Sequence, residues 1–318
     1  MPVKVSTIID KKVIKDGEEK TPSQLKIPSY MMNFPFSMST DNPNNIFMQR
    51  DKMSPLDKDK AYGQFMKVYN FMASQGLVYI LPTAEEFQDL PYIANIGMYL
   101  PSDEKQIFVL SNFTSPPRQG EENIADAMFR LMRYRTVRCP FKWEGEADLK
   151  WLHNDVYIGG YGMRTQIEAL QWFEQEFGVN IIKVHITSEE QYHLDCSIFP
   201  LNSKKTFVFV DNYKPEEIKQ IEKYTEIIPV PKDIYKSDPT NCVLFYNMLL
   251  CSNGLNELKR TDPTYQLELR KIHFLEEQTS KNGLELVTFN VSEFAKSGAA
   301  LSCQVLNLNF ESYKIPLA

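Results

Sequence analysis

The sequence predicts an α/β protein, and three observations lead to that prediction. Short β-rich apolar runs alternate with amphipathic helical patterns from about residue 60 to the end of the chain. The 318 residues, 43% of them hydrophobic, are enough to bury a substantial core. No Pro/Gly/Ser-rich linker divides the chain. We therefore expect one domain over residues 26–318, preceded by a Lys/Glu-rich extension over residues 1–25.

The alternation can be followed unit by unit. Helical patterns occur at residues 61–74, 123–134, 164–177, 215–223 and 263–281. The apolar runs between them are GLVYILP, QIFVLSNF, DVYIGGY, NIIKVHI, SIFPL, KTFVFV, EIIPVP, VLFYNMLL, ELVTFNV and QVLNLNF. In the third helix, Ile167, Leu170 and Phe173 recur at helical spacing. In the fourth, Glu216 and Glu217 lie in the first turn, where the helix dipole favours negative charge.

Composition excludes several classes of protein. The formal charge of -6 gives no electrostatic reason to expect nucleic acid as a partner, and a cationic ligand fits better. Five cysteines without a CxxC pair indicate reduced thiols rather than disulfides or a zinc site. The chain has no apolar run near the roughly 20 residues of a membrane span, and its N-terminus lacks the apolar centre of a secretory signal. We expect a cytoplasmic protein that binds neither membrane nor nucleic acid.

One histidine lies in a setting suited to catalysis. In QYHLDCSIFPL, His193 is predicted at the start of a strand with Asp195 two residues later, on the same face. A carboxylate beside a histidine tunes its charge and tautomer for general acid or base work. A hydrogen-bonded structural histidine is the competing interpretation.

Acidic residues crowd together in FKWEGEADLKW. Glu144, Glu146 and Asp148 fall within five residues beside aromatic side chains. Such acids repel one another unless a cation, either a metal or a guanidinium, binds among them. A solvated acidic turn is the alternative.

Cys303 follows a loop of small residues in SEFAKSGAALSCQVLNLNF. Small residues let a ligand or backbone come close, and a thiol where a loop enters a strand can be exposed and activated. A buried cysteine that packs as a small hydrophobe is the competing interpretation.

Three further polar residues lie at the ends of predicted elements. Asn95 lies among apolar neighbours in PYIANIG, Arg118 lies in SPPRQGEEN, and Arg164 follows the GGYG turn. The two arginines could grip a substrate carboxylate through the planar guanidinium fork. A surface role in solubility is the alternative for each arginine.

Taken together and in order, these segments resemble the guanidino-group-modifying enzymes: arginine deiminases, dimethylarginine dimethylaminohydrolases, arginine dihydrolases and amidinotransferases. YIANIG resembles a family run close to FTANAG, SPPRQGEE resembles HPERQGEE, WEGEAD resembles FEGxGD, and GGYGMRT resembles GGYGxRT. HLD and the run SGAALSC complete the set. The resemblance covers about residues 29–310, and six motifs in the family's order are far more specific than any one of them.

The resemblance assigns the reacting groups. It implies that Cys303 is the nucleophile, that His193 is the acid–base residue, and that Glu144 and Asp195 hold the guanidinium. Glu146 matches a variable position of its motif and is not expected to be catalytic.

The resemblance also implies the contacts to the rest of the substrate. The first loop, MNFPFSMSTDNPNN, resembles a family loop that ends in an INP-type turn, which suggests Asn42 as a contact. Asn95 takes a position that is often Asp in arginine deiminases, and Asn is typical of the dihydrolase-like branch, so plain deiminase activity is disfavoured. The expected substrate-binding residues are Asp195, Asn95, Arg118, Arg164, Asp148 and Asn42.

The implied fold is an α/β propeller of five ββαβ-like units around a pseudo-fivefold axis, with the site in the central channel. The implied reaction is hydrolysis of a guanidinium C–N bond through a thiouronium adduct on Cys303, with no metal or organic cofactor. An amidinotransferase and an inactive binding protein on the same fold are the alternatives. The sequence leaves open the choice between arginine and its methylated forms and whether a homo-oligomer forms.

Overall fold

The strands form five three-stranded sheets in the computed structural model, which describes residues 20–50, 55–101 and 106–314. The strands are β1 (Ser29–Asn33), β2 (Leu77–Leu81), β3 (Gly97–Leu100), β4 (Ile107–Leu110), β5 (Arg135–Arg138), β6 (Leu149–His153), β7 (Val156–Tyr161), β8 (Asn180–His185), β9 (Ile198–Pro200), β10 (Lys205–Val208), β11 (Glu226–Pro229), β12 (Val243–Phe245), β13 (Met248–Ser252), β14 (Glu285–Phe289) and β15 (Leu306–Asn307). The helices are α1 (Ile46–Arg50), α2 (Lys58–Ala73), α3 (Glu121–Leu131), α4 (Ile167–Phe177), α5 (Pro215–Glu222), α6 (Pro263–Lys281) and α7 (Ser292–Ala295).

Every sheet repeats one topology. Two antiparallel strands are followed by a helix and then by a strand parallel to the second, as in β3, β4, α3 and β5. The first sheet is closed from the far end of the chain, because β15 pairs antiparallel with β1 in the register Tyr30↔Asn307 and Met31↔Leu306. The predicted propeller of five ββαβ-like units is therefore confirmed.

The predicted helices are all present, and local chemistry sets their ends. Helix α6 begins at Pro263 because Asp262 accepts a hydrogen bond from the Thr264 backbone N–H at 2.8 Å. Helix α4 begins three residues later than predicted, because Gly162 (φ 122°) closes a turn by donating its N–H to the Thr165 carbonyl at 2.8 Å. Over the described ranges, no helix is both long enough and apolar enough to cross a membrane.

The expected strand through His193 and Asp195 is wrong. The segment Leu194–Cys196 is a short 3-10 turn, and β9 begins only at Ile198. Local hydrogen bonds hold this turn: the Ser197 N–H donates to the Leu194 carbonyl at 2.9 Å. His193 and Asp195 therefore do not share a sheet face.

Two fully buried strands, β1 and β3, were also missed by periodicity. All five residues of β1 and all four of β3 are buried, so neither strand alternates between apolar and polar residues. The packing of helix on sheet is seen at Phe108 of β4 and Phe129 of α3, whose rings stack with centroids 3.5 Å apart.

Most of the expected N-terminal extension lies outside the described residues, and the division at residue 25 stays a prediction.

One-turn 3-10 helices precede four of the five antiparallel pairs. They span Ile93–Asn95, Gly145–Ala147, Leu194–Cys196 and Ser302–Gln304, directly before β3, β6, β9 and β15. The turn at Ile93–Asn95 packs against the turns at Gly145–Ala147 and Ser302–Gln304. The topology therefore gathers residues from distant parts of the sequence at one end of the sheets.

Candidate active site

His193 and Glu144 form a buried pair. The imidazole Nε2 lies 2.8 Å from Glu144 Oε2, and the two residues are 5% and 0% exposed. Glu144 Oε1 accepts hydrogen bonds from the backbone N–H groups of Thr114 (3.1 Å) and Ser115 (3.4 Å). Burial acts to raise the pKa of Glu144, but the hydrogen bond and charge of His193 and two nearby arginines outweigh it and hold the pKa at about 2. Glu144 is therefore an anion at neutral pH.

Asn95 lies against this pair. Its Nδ2 is 3.3 Å from His193 Nε2 and 3.4 Å from the Glu144 carbonyl oxygen. Gly145 makes the approach of the two turns possible: its φ is 67°, and a Cβ there would lie 2.5 Å from the Asn95 carbonyl carbon and 2.6 Å from the Ala94 oxygen. A residue with a side chain would push Glu144 and Asn95 apart.

The sulfur of Cys303 lies beside a carboxylate. Asp195 Oδ2 is 3.9 Å from Sγ and accepts a hydrogen bond from Ser302 Oγ at 2.6 Å. Burial, reinforced by the negative charge of Asp195, raises the pKa of Cys303 to about 12. Without a ligand the thiol is protonated at neutral pH, and a cation placed beside it would lower its pKa.

One cavity connects the two halves of the site. It is lined by Asn44, Asn45, Asp89, Tyr92, Asn95, Arg118, Glu144, Arg164, Tyr192, His193, Ser297, Ala299 and Cys303. Of the residues expected from the sequence, the structure thus brings together Cys303, His193, Glu144, Asn95, Arg118 and Arg164. Asp195 lies directly behind the sulfur, outside this lining.

Arg118 is held firmly at the cavity wall. Its Nη2 donates to Glu121 Oε2 at 2.7 Å and to the carbonyls of Asp89 (3.2 Å) and Tyr92 (3.0 Å). Its guanidinium lies 4.5 Å from the centre of the Phe113 ring. Most of its donors are thus engaged within the protein, and the residue is 4% exposed rather than on the surface.

Arg164 reaches the cavity from the turn after β7. Its Nη2 donates to the Asn44 carbonyl at 2.7 Å, and Nη1 lies 3.6 Å from Glu144 Oε1. The guanidinium is 4.9 Å from the centre of the Tyr192 ring. Arg164 therefore links the loop at Asn44 to the anionic end of the site.

Two expected substrate contacts lie elsewhere. Asp148 is buried outside the cavity lining, where Oδ2 accepts from Thr165 Oγ1 (2.6 Å) and Oδ1 from the Leu194 N–H (3.1 Å). It orients the backbone beside His193 instead of facing the cavity. Asn42 is exposed, and the residue of this loop that lines the cavity is Asn44, two positions later.

Asp89 is a lining residue that sequence reasoning missed. Its Oδ2 accepts from Asn44 Nδ2 at 2.6 Å, whereas Oδ1 is buried with no hydrogen-bond partner among the described residues. Burial raises the pKa of Asp89, although the positive charge of Arg118 opposes this. In EEFQDLP it looks like a third surface acid, and only its place directly before the apolar run LPYIANI could have marked it.

Asn241 was also missed. It lies in SDPTNC, a run typical of a polar turn, yet it is 1% exposed and its Nδ2 is 3.5 Å from Cys303 Sγ.

Within the ranges that the structure describes, no cluster of three His, Cys, Asp or Glu residues could hold a metal ion.

Several curated proteins are similar in sequence, among them the three described below, although no protein-family model matches the chain. YkgA of Bacillus subtilis, an uncharacterized protein, is 24% identical over 73% of each chain. The bifunctional arginine dihydrolase/ornithine cyclodeaminase ArgZ of Synechocystis is 22% identical over 79% of this chain and 34% of ArgZ, so the chain spans about a third of that protein's length. The N(G),N(G)-dimethylarginine dimethylaminohydrolase of Mycobacterium tuberculosis is 23% identical over 81% of this chain and 79% of that enzyme.

Among solved structures, the N-terminal domain of ArgZ, a cyanobacterial protein, shares the fold. A form covalently bound to a reaction intermediate matches with a TM-score of 0.76 and 20% identity, covering 88% of this chain and 97% of that domain. The two relatives with named activities support the resemblance to the guanidino-group-modifying enzymes, and the ArgZ domain shows that the chain has the same five-unit fold.

Proposed function

We propose that the protein is a hydrolase that cleaves a C–N bond in the guanidinium group of arginine or an arginine derivative through a covalent adduct on Cys303. The observation that carries the proposal is the cavity shared by the Cys303 thiol and the His193–Glu144 pair, with Asp195 3.9 Å from the sulfur. The relatives named for arginine dihydrolase and dimethylarginine hydrolase activity support it. So does the covalent intermediate of the ArgZ domain.

The charges of the cavity suit arginine. Glu144 lines the cavity that holds the Cys303 thiol, and Asp195 lies behind that thiol, so both buried carboxylates would attract a guanidinium bound in the cavity. Asp89, one oxygen of which has no hydrogen-bond partner in the part of the chain that the structure describes, would accept from the α-ammonium group. Arg164 would pair with the α-carboxylate, exchanging its present bond to the Asn44 carbonyl for one to the substrate.

Binding of the cation would also activate the nucleophile. A guanidinium beside the sulfur offsets the charge of Asp195 and lowers the pKa of Cys303 from about 12. The thiol proton passes to His193, and Sγ forms a bond to the guanidinium carbon. His193 then delivers the proton to the departing nitrogen, the C–N bond breaks, and ammonia leaves a thiouronium group on Cys303.

Hydrolysis completes the cycle. His193 takes a proton from water, the hydroxide adds to the thiouronium carbon, and the C–S bond breaks to return the thiol. Arginine and water thereby give citrulline and ammonia. A second round on citrulline would give ornithine, ammonia and carbon dioxide.

We expect the reaction to take place in the cytoplasm, where the five free cysteines stay reduced, and the scheme uses no cofactor.

A substrate panel with products identified by mass spectrometry tests the proposal. Arginine, methylarginines, agmatine and citrulline are each supplied with and without glycine as an amine acceptor. We expect ammonia and citrulline or ornithine from arginine, unaffected by glycine, and none from the Cys303→Ser protein. Transfer of the amidino group to glycine would instead identify an amidinotransferase. Binding of arginine without turnover would identify an inactive binding protein.

A further inference from the structure

The neighbours of Asn241 determine how its side-chain amide is oriented and which groups its N–H bonds face. Its Oδ1 accepts the backbone N–H of Ser302 at 2.8 Å, so the oxygen end of the amide is fixed. The Nδ2 end lies 3.2 Å from Asp195 Oδ2 and 3.5 Å from Cys303 Sγ. An amide nitrogen carries two hydrogens, and these two partners account for both of them.

This arrangement addresses an electrostatic problem in the site. A thiolate on Cys303 would form 3.9 Å from the carboxylate of Asp195, and two anions so close repel each other when water is excluded. An N–H group that faces both anions stabilises both of them. The Asn241 amide also lowers the pKa of Cys303, against the larger opposite effects of burial and Asp195.

The position of Asn241 is fixed by the fold rather than by the ligand. Its backbone N–H donates to the Asp238 carbonyl at 3.2 Å, and the preceding Thr240 donates its hydroxyl to the Asp195 carbonyl at 3.0 Å. Both Asn241 and Thr240 are buried. The donor is therefore preorganised beside the sulfur before any substrate arrives.

We infer that Asn241 is a further catalytic residue, whose amide donates one hydrogen to Cys303 Sγ and the other to Asp195, and so stabilises the thiolate during attack. The inference rests on the proposed role of Cys303 as nucleophile. Its test can nevertheless be read from the sulfur itself, without any substrate.

The experiment measures the rate at which iodoacetamide alkylates Cys303 at about pH 8.5, followed by mass spectrometry of the peptide that contains it. In Asn241→Ala the amide is removed, and in Asn241→Asp an oxygen replaces the N–H donor while the acceptor for Ser302 remains. We expect both variants to react at least about tenfold more slowly, which corresponds to one pKa unit or more. With arginine as substrate, kcat should fall more than KM rises.

Thr279→Val is the control, since it removes a buried hydrogen bond to the Leu275 carbonyl (2.8 Å) in α6 without contacting Cys303, Asp195 or Asn241. It should lower Tm and leave the alkylation rate within about twofold of wild type. Alkylation rates within twofold of wild type in both Asn241 variants, with normal Tm, would overturn the inference. If arginine is not turned over by the wild-type protein, the proposed function fails, while the alkylation rates still decide the role of Asn241.

Discussion

His193 Nε2 lies 2.8 Å from Glu144 Oε2, and the two side chains come from turns that precede the first strands of successive sheets. The contact therefore depends on how the units pack around the axis and not on local sequence. As a result, the ionised carboxylate of Glu144 lies against His193, the residue that is proposed to transfer protons.

Replacing Glu144 with Gln tests that contact. The amide oxygen can keep the bonds from the Thr114 and Ser115 N–H groups, but the negative charge facing His193 and the guanidinium is lost. We expect kcat/KM for arginine to fall about 100- to 10,000-fold. Steady-state kinetics measure the fall, and circular dichroism establishes that the variant is folded. A variant with nearly full activity would show that the carboxylate is not needed.

Replacing Gly145 with Ala tests the contact between the turns. The added methyl would meet the Asn95 backbone at 2.5 Å in a residue with φ of 67°, so we expect a loss of stability above about 1 kcal/mol together with a loss of activity. Gly178→Ala is the control, because its φ is 66° and nothing lies within 4 Å of the added carbon. The control should lose some stability and no activity, as measured by chemical denaturation and arginine turnover. Equal effects in the two variants would contradict the steric explanation.

We expect the stability of the protein to depend on pH through the titration of Asp238. Burial raises its pKa from an ordinary 3.8 to about 7. Between these two values the folded protein keeps the Asp238 proton that the unfolded chain has released. The stability that this proton contributes is present at low pH and is lost as the pH rises through about 7. Asn imitates the protonated form and tolerates the left-handed φ of 52° at this position. We expect Asp238→Asn to raise Tm more at about pH 8.5 than at about pH 5, and an equal effect at both would rule out this titration.

We expect Asp89 to provide specificity for the α-amine of the substrate. Asp89 lines the cavity, and its Oδ1 has no hydrogen-bond partner among the described residues, so Asp89→Asn should raise KM for arginine about tenfold or more. The matched substrate is the guanidino acid that lacks the α-amine, for which the variant and wild type should differ little. If both substrates suffer equally, the variant has disturbed the Asn44 loop and not an ammonium contact.

The sequence was informative where chemistry is local. Helical periodicity and capping residues such as Asp262 located the helices, and the motifs around Glu144, His193 and Cys303 selected three residues that line one cavity. The strands β1 and β3 were not predicted, because burial on both faces removes the alternation of apolar and polar residues.

The supporting residues of the site could not be predicted in the same way. Asn241 is 62 positions from Cys303 along the chain, and Asp89 is 45 from Asn44. In each case the neighbouring sequence resembles an ordinary polar turn. Only the packing of units around the axis gives these residues their roles.

Arginine is proposed to become attached to the sulfur of Cys303 during turnover. The most direct measurement is rapid acid quenching of the protein during turnover of arginine, followed by mass spectrometry of the intact chain and of the peptide containing Cys303. We predict an adduct on that peptide equal to arginine minus ammonia, absent in the Cys303→Ser protein, which should be folded and inactive. Full turnover by Cys303→Ser would contradict the account.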